Sequence, residues 1–551
     1  MRRFLVLALA AILILAMTVS FASAAKPLPK IQFLSGDSQI AKLYAQGIQE
    51  MIRKNLGIEM EIVAVDFKTR LSKMRNGDFQ IVFAGWGADY DDPMTFADLW
   101  ITGSAFNDCK WSNKNYDALI KAAKNSNDQN LRMKAMARAE KILLDEMPIA
   151  PIYWPPRNYI EKPYVKGIVR RATGADIEWK WAYTEGRPGG DKPQYLNLNL
   201  GEEPPDLDPQ TSTDQISFEV LGAVLEGLVR KNPEHKIEKG SGLALDWTVS
   251  KDATVYTFKL RDAKWSDGKP ITAYDFEYAW KRAIDPRTAS QYAYQFYIIK
   301  NAESVNMMDP GKVGDKGIEK ALDTVGIKAL DAKTLKVTLE RPTPYFLDLC
   351  GFISFLPVPK HAIDKWGDKY AADADKMVFS GPFYIDEWKH ESKMVLKKNP
   401  NYWDAKNVKL DQINFDMFKD INTPINMFEA GQLDAIGVPG SHIPMFKDRG
   451  MKTIADGVSW YLEFNCQDPI FKNANMRKAF AYAIDRKLFV DQVLKNGSLP
   501  ATAYTPPVIH DHNGASFQEK WVGEVLPERA NIAKAKKFLE AGLKELGYTL
   551  K

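Results

Sequence analysis

From Ile31 to Phe83 the chain switches repeatedly between two hydrophobic periodicities, and few architectures accept that pattern. Ile31-Gln32-Phe33-Leu34 reads as a strand. Ile40, Leu43, Tyr44, Ile48, Met51, Ile52 and Leu56 then recur at helical spacing until Gly57 stops them. Ile58, Met60 and Ile62 alternate with Glu59 and Glu61, the period of a strand. A short helix over Phe67–Arg75 leads into a third strand, Phe79–Phe83. Strand, helix, strand, helix, strand predicts an α/β fold with a parallel sheet and right-handed crossovers. The residues after the third strand then sit at its carboxyl end, where open α/β sheets bind ligands.

Those residues are Ala84-Gly85-Trp86-Gly87-Ala88-Asp89-Tyr90-Asp91-Asp92-Pro93. Gly85 and Gly87 let a ligand backbone approach closely, Trp86 supplies an apolar wall, and Asp89 fixes one negative charge. This suits an extended molecule with a cationic end, such as a peptide N-terminus. The same residues also fit a tight turn with a solvated acid and a core tryptophan.

With 551 residues, one hydrophobic core is not enough, and two or more lobes are expected. Net charge is +4 with acids and bases interspersed, which gives no nucleic-acid stripe. Arg2 and Arg3 precede an apolar run from Phe4 to Val19 that closes on Ala22-Ser23-Ala24. That reads as a secretory signal peptide over 1–24, with no nearby cysteine for a lipid anchor. The mature chain is therefore expected to be soluble and exported. Cys109, Cys350 and Cys466 allow at most one disulfide; Cys350 reads as core, and a Cys109–Cys466 bridge stays open. His510-Asp511-His512 has no third ligand at helical spacing and reads as surface. No P-loop, zincin motif or nucleophile elbow occurs, and no cofactor or metal is implied.

Helices are expected at Tyr116–Lys124 and Asn130–Glu146, then a strand at Ile149–Tyr153. Glu185–Pro193 is polar and rich in Gly and Pro, a linker. A second α/β region follows, with a strand at Tyr256–Arg261 and a helix at Ala273–Ala283. Asn475–Leu494 is amphipathic throughout, and a closing helix spans Ala530–Gly547.

Several runs then resemble one family. They are Ala263-Lys264-Trp265-Ser266-Asp267-Gly268-Lys269-Pro270, Ser380-Gly381-Pro382-Phe383, Lys398-Asn399-Pro400-Asn401-Tyr402-Trp403, and Met476-Arg477-Lys478-Ala479-Phe480 with Ile484-Asp485-Arg486. With the Asp89 turn, they resemble the extracytoplasmic oligopeptide-binding proteins of ABC importers, in the dipeptide/oligopeptide/nickel solute-binding family. The resemblance implies a two-lobed periplasmic-binding-protein fold of type II, in the large cluster with an extra subdomain. It implies a monomer that closes on an oligopeptide in the periplasm and delivers it to a membrane permease, with no catalysis. The same fold binding an oligosaccharide or a metal chelate is the alternative, and a secreted hydrolase is a further one.

The order of segments differs from the family's. The portion about 26–185 resembles the usual C-terminal part, yet it precedes the portion about 195–551, so the chain reads as circularly permuted. By analogy 25–157 and 458–551 build lobe II, while 158–457 forms lobe I with its extra subdomain. The resemblance implies that Asp89 holds the peptide α-ammonium and that Ala84, Gly85 and Trp86 line the ligand. Tyr292, Trp460, Tyr461 and Asn465 match other cleft positions. Three departures stand out. Phe83 replaces an arginine that meets the ligand carboxylate in tripeptide-binding relatives. Gly87 and Val458 replace a disulfide pair, and Pro155 replaces a tyrosine.

Overall fold

The computed structural model describes residues 26–550. The expected signal peptide lies outside the described residues. The alternating periodicities become β1 (Ile31–Gly36), α1 (Gln39–Leu56), β2 (Met60–Val65), α2 (Phe67–Asn76) and β3 (Ile81–Gly87). Local chemistry sets the helix limits. Ser38 accepts from the Ala41 amide at the start of α1, and Gly57 ends it with a left-handed backbone, φ 71°. Asp66 and Gly77 do the same for α2.

β1 pairs in parallel with β2 and with the first residues of β3, as the alternation predicts. The sheet then continues through two distant segments, β4 (Ile149–Trp154) and β5 (Val458–Phe464). β5 lies antiparallel between β3 and β4. The full order is Leu499–Pro500, β4, β5, β3, β1, β2. Every strand of this six-stranded sheet comes from residues 31–154 or 458–500. The four-stranded sheets at 195–416 and 244–338, and the three-stranded sheet of 156–161, 435–437 and 452–455, all lie between.

The chain passes between these bodies twice, between Trp154 and Pro156 and between Ala455 and Val458. Arg157 ties the two passages together, with its guanidinium 2.9 Å from Asp456 and 3.1 Å from Asp176.

The amphipathic stretch 475–494 is not one helix. α4 (Ala474–Ala483) ends at Ile484, whose ψ of 121° leaves the helical region, and Asp485 then caps a new turn through the Leu488 amide. The apolar face continues because both pieces pack on the same core. The two arginines in this stretch are structural. Arg477 donates to the carbonyls of Glu146, Met147, Phe471 and Lys472, which covers the C-terminal end of α3 (Gln129–Glu146 in chain order before β4). Arg486 donates to the carbonyls of Pro151, Ala481 and Pro527 with no exposed surface.

Cys109, Cys350 and Cys466 are free thiols, and Cys350 is core as expected. The Cys466 amide donates to the Cys109 carbonyl at 2.8 Å. Among the described residues no helix is long and apolar enough to cross a membrane.

Candidate functional site

β3 has neighbours on both sides only at its start. β1 pairs with Ile81 and Val82 and then diverges, while β5 pairs along the whole of β3 from Ile81 to Gly87. The Phe83 carbonyl accepts from Arg70, and residues 84–87 keep one open edge that faces a cleft of about 320 Å³. The cleft is lined by Ala84, Gly85, Trp86, Asp89, Phe106, Gln215, Phe218, Tyr292, Trp460 and Tyr461, among others. Unpaired strand edges are templates for an added strand.

Asp89 stands just beyond the end of this edge and is buried, 5% exposed. Its Oδ1 accepts from the Tyr292 hydroxyl at 2.9 Å and its Oδ2 from the Gln295 amide at 2.9 Å, while its own amide donates to Thr95 Oγ1. No basic side chain lies within ion-pair distance of it among the described residues. Burial pushes the carboxyl well above its usual range, and the bonds from Tyr292 and Gln295 only partly oppose this. The site therefore holds a desolvated acid that a cation would return to its charged form.

Tyr292 and Gln295 belong to the intervening part of the chain, so these bonds also close the two bodies together. Tyr90 stacks on Tyr345 at 4.8 Å between centroids, Gln291 donates to the Ala105 carbonyl, and Arg75 donates to Thr213 Oγ1. Arg132 holds Asp92 through two 2.6 Å bonds and lies over the Tyr345 ring. The loop carrying Asp89 is thus fixed on both sides.

Most of the residues named from the sequence meet here. Ala84, Gly85, Trp86, Asp89, Tyr292, Trp460 and Tyr461 line one cleft. Two corrections are needed. The space above Gly85 is taken by protein: a Cβ there would meet the Trp460 indole at 2.9 Å. Gly85 is needed for that indole, which stacks on Tyr153 and packs on Phe83. Asn465 is not a cleft residue. Its amide donates to the carbonyls of Gly77 and Phe79, which fastens the loop before β3. Gly87 and Val458 face each other across β3 and β5, so that position is a cross-strand pair without sulfur. His510 binds Asp91 through Nδ1 at 2.8 Å, and no cluster of metal-ligating side chains occurs among the described residues.

Gln295 and Arg70 were not singled out from the sequence. Gln295 follows Tyr292 by three residues in a 3-10 segment, Gln291–Ile298, and that spacing puts both on one face.

A family model described as bacterial extracellular solute-binding proteins, family 5, matches residues 16–108 and 240–551, well over half of the chain. The protein belongs to this family. Among family 5 relatives, it is 39% identical over 376 residues to the oligopeptide-binding protein OppA of Bacillus subtilis, covering 66% of this chain and 64% of OppA. It is 37% identical to the dipeptide-binding protein DppE of the same organism, covering 67% and 65%. The matches therefore span just under two thirds of those relatives. An oligopeptide ABC transporter substrate-binding domain from Bacillus anthracis is similar with a TM-score of 0.56 at 35% identity, over 64% of this chain and 67% of that one. Listeria monocytogenes OppA bound to peptide gives 0.56 at 32% identity, over 64% and 69%. The family 5 fold is thus the two-lobed solute-binding fold of type II.

Proposed function

We propose that the protein captures oligopeptides between its lobes outside the cytoplasmic membrane and delivers them to the permease of an ABC importer. The observation that carries this is a buried carboxyl, Asp89, with no ion-pair partner among the described residues, at the end of an open strand edge. A peptide supplies both complements at once, an ammonium for the acid and a backbone for the edge. Closure about the passages near 157 and 457 would then bury the ligand, in the manner of hinged binding proteins. The names of the relatives, oligopeptide- and dipeptide-binding proteins, agree with this reading.

Main-chain pairing is indifferent to side chains, so affinity should vary little with peptide sequence. Titration calorimetry over a panel of same-length peptides is expected to give dissociation constants within about a thousand-fold, roughly 4 kcal/mol. Binding of no peptide, with retention of a sugar or a metal chelate in native mass spectrometry, would replace the peptide reading with that of another solute.

We also propose that the segment order is a circular permutation of the family order. The support is a parallel ladder between Lys26–Pro27 and Tyr548–Thr549, with the Lys26 amide donating to the Gly547 carbonyl at 3.0 Å. The segment Glu185–Pro193 is largely exposed, as a bridge between ancestral termini would be. The matches also stop near two thirds of both chains, as comparison of chains in unlike order would. A variant opened within 185–193, with residue 550 joined to residue 26, should fold and bind peptide within about threefold of the parent. A variant that does not fold would overturn the permutation.

A further inference from the structure

Two of the three cysteines meet behind one wall of the cleft although they lie far apart in the chain. Cys109 follows Phe106 and Asp108, which line the 320 Å³ cleft, and Cys466 stands two residues beyond the end of β5. The Cys466 amide donates to the Cys109 carbonyl at 2.8 Å. With the fixed dimensions of the peptide unit, that bond holds the two α-carbons at most about 6.7 Å apart. Disulfides span about 4.4–6.8 Å between α-carbons, so the backbone already stands at bridging distance. Gln467 Nε2 also donates to the Lys110 carbonyl at 3.2 Å, which keeps the neighbouring residues together. Asn107 fixes the loop from its other side. Its Nδ2 donates to the Trp111 carbonyl at 2.8 Å, and its Oδ1 accepts from the Trp111 amide and the Cys109 thiol, both at 3.1 Å.

We propose that Cys109 and Cys466 are a disulfide-forming pair that, once oxidised, clamps the Phe106–Asp108 wall of the cleft to the end of β5. This goes beyond the peptide reading and does not depend on it. The wall matters because it reaches the other body. Phe106 packs on Trp86 and Tyr292 at 4.8 and 5.0 Å between centroids, and the Ala105 carbonyl accepts from Gln291. The bridge is distinct from the cross-strand position at the start of β5, where Gly87 faces Val458. The two thiols have unequal surroundings. Cys109 has no exposed surface, whereas Cys466 is half-buried. The hydrogen bond between them lowers the Cys466 thiol, and burial holds the Cys109 thiol well above its usual range. Cys466 is therefore the first nucleophile. Its sulfur attacks one sulfur of a small external disulfide, such as oxidised glutathione, and expels one glutathione thiolate. The Cys109 sulfur then attacks the Cys466 sulfur and expels the second. The two protein thiol protons pass to the two departing thiolates, so the protein pair is oxidised and the external disulfide reduced. An exported protein, as proposed above, meets such oxidants.

The test uses the whole protein, first reduced and then incubated with oxidised glutathione. Each form is unfolded in guanidinium with N-ethylmaleimide and weighed by mass spectrometry. The reduced form should take three labels and the oxidised form one, on Cys350, and digestion should join the peptides that hold Cys109 and Cys466. The oxidised form should melt about 5 °C or more above the reduced form, because the link constrains the unfolded chain over a long loop. Cys466→Ser should take two labels with or without the oxidant and melt at one temperature in both. Cys109→Ala should keep one glutathione on Cys466, which nothing displaces. Three labels on the parent after oxidation would overturn the pair. So would a parent that retains one glutathione while Cys109 is still labelled. An oxidised form that melts no higher than the reduced one would overturn the clamp.

Discussion

Replacing Asp89 with alanine should cut peptide affinity by about a hundred- to a thousand-fold and leave the protein folded. Removing one partner of a buried ion pair costs about 3–5 kcal/mol, because the other charge stays desolvated and unpaired. Acetylating the peptide amine should produce a loss of similar size in the parent and almost none in Asp89→Ala. The reaction should also carry a proton signature. Burial raises the Asp89 carboxyl, and an ammonium beside it would lower the carboxyl again. The free site therefore binds more protons than the occupied one, so ligand entry expels a proton and affinity rises with pH. This slope belongs above the ordinary carboxylate range and below about pH 7.5, where the peptide amine stays charged. Calorimetry in two buffers of different ionisation enthalpy reads the released proton directly. Asp89→Asn should show neither the release nor the slope, and an unchanged dissociation constant in Asp89→Ala would rule it out as the anchor.

The second large effect lies far from the cleft. Arg477→Leu should lower stability by about 3–5 kcal/mol, measured by denaturant unfolding of the lobe that contains it. The guanidinium of Arg477 meets four carbonyls, two of them at the C-terminal end of α3, where backbone acceptors lack intrahelical partners and the helix dipole is negative. Leucine fills similar volume but leaves those acceptors buried and unpaired, at about 1–3 kcal/mol for each one that water cannot reach. A loss below about 1 kcal/mol would mean that water or a shifted backbone replaces the arginine. The Met476–Phe480 and Ile484–Arg486 runs, informative as sequence, therefore mark a site of assembly and not of binding.

What could be read in advance divides along physical lines. The order β1, α1, β2, α2, β3 followed from periodicity because each element buries one face on a shared core. Asp89 and Tyr292 were named in advance, and they touch. The break at Ile484 escaped because hydrophobic spacing reports which face is buried, not whether the backbone turns while burying it. The missing side chain of Gly85 was read as room for a ligand because its sequence neighbours carry no trace of Trp460, which arrives from 375 residues away and takes that space. Arg70 looked like one of several basic residues on a short polar helix. Its bond to the Phe83 carbonyl is a property of packing, present only once α2 lies against β3.

The antiparallel placement of β5 also sets the sequence of events as the polypeptide emerges during synthesis. β3 and β4 are made early, but the strand that lies between them begins at Val458, some three hundred residues later. During that interval the whole intervening body, 156–455, can form its own sheets, whereas the first sheet remains split with two inner edges bare. Such edges invite pairing with other chains. The nascent protein thus passes through a long period with one half complete and the other open, and a chaperone that shields strand edges would act on residues 81–87 and 149–154 before any other part.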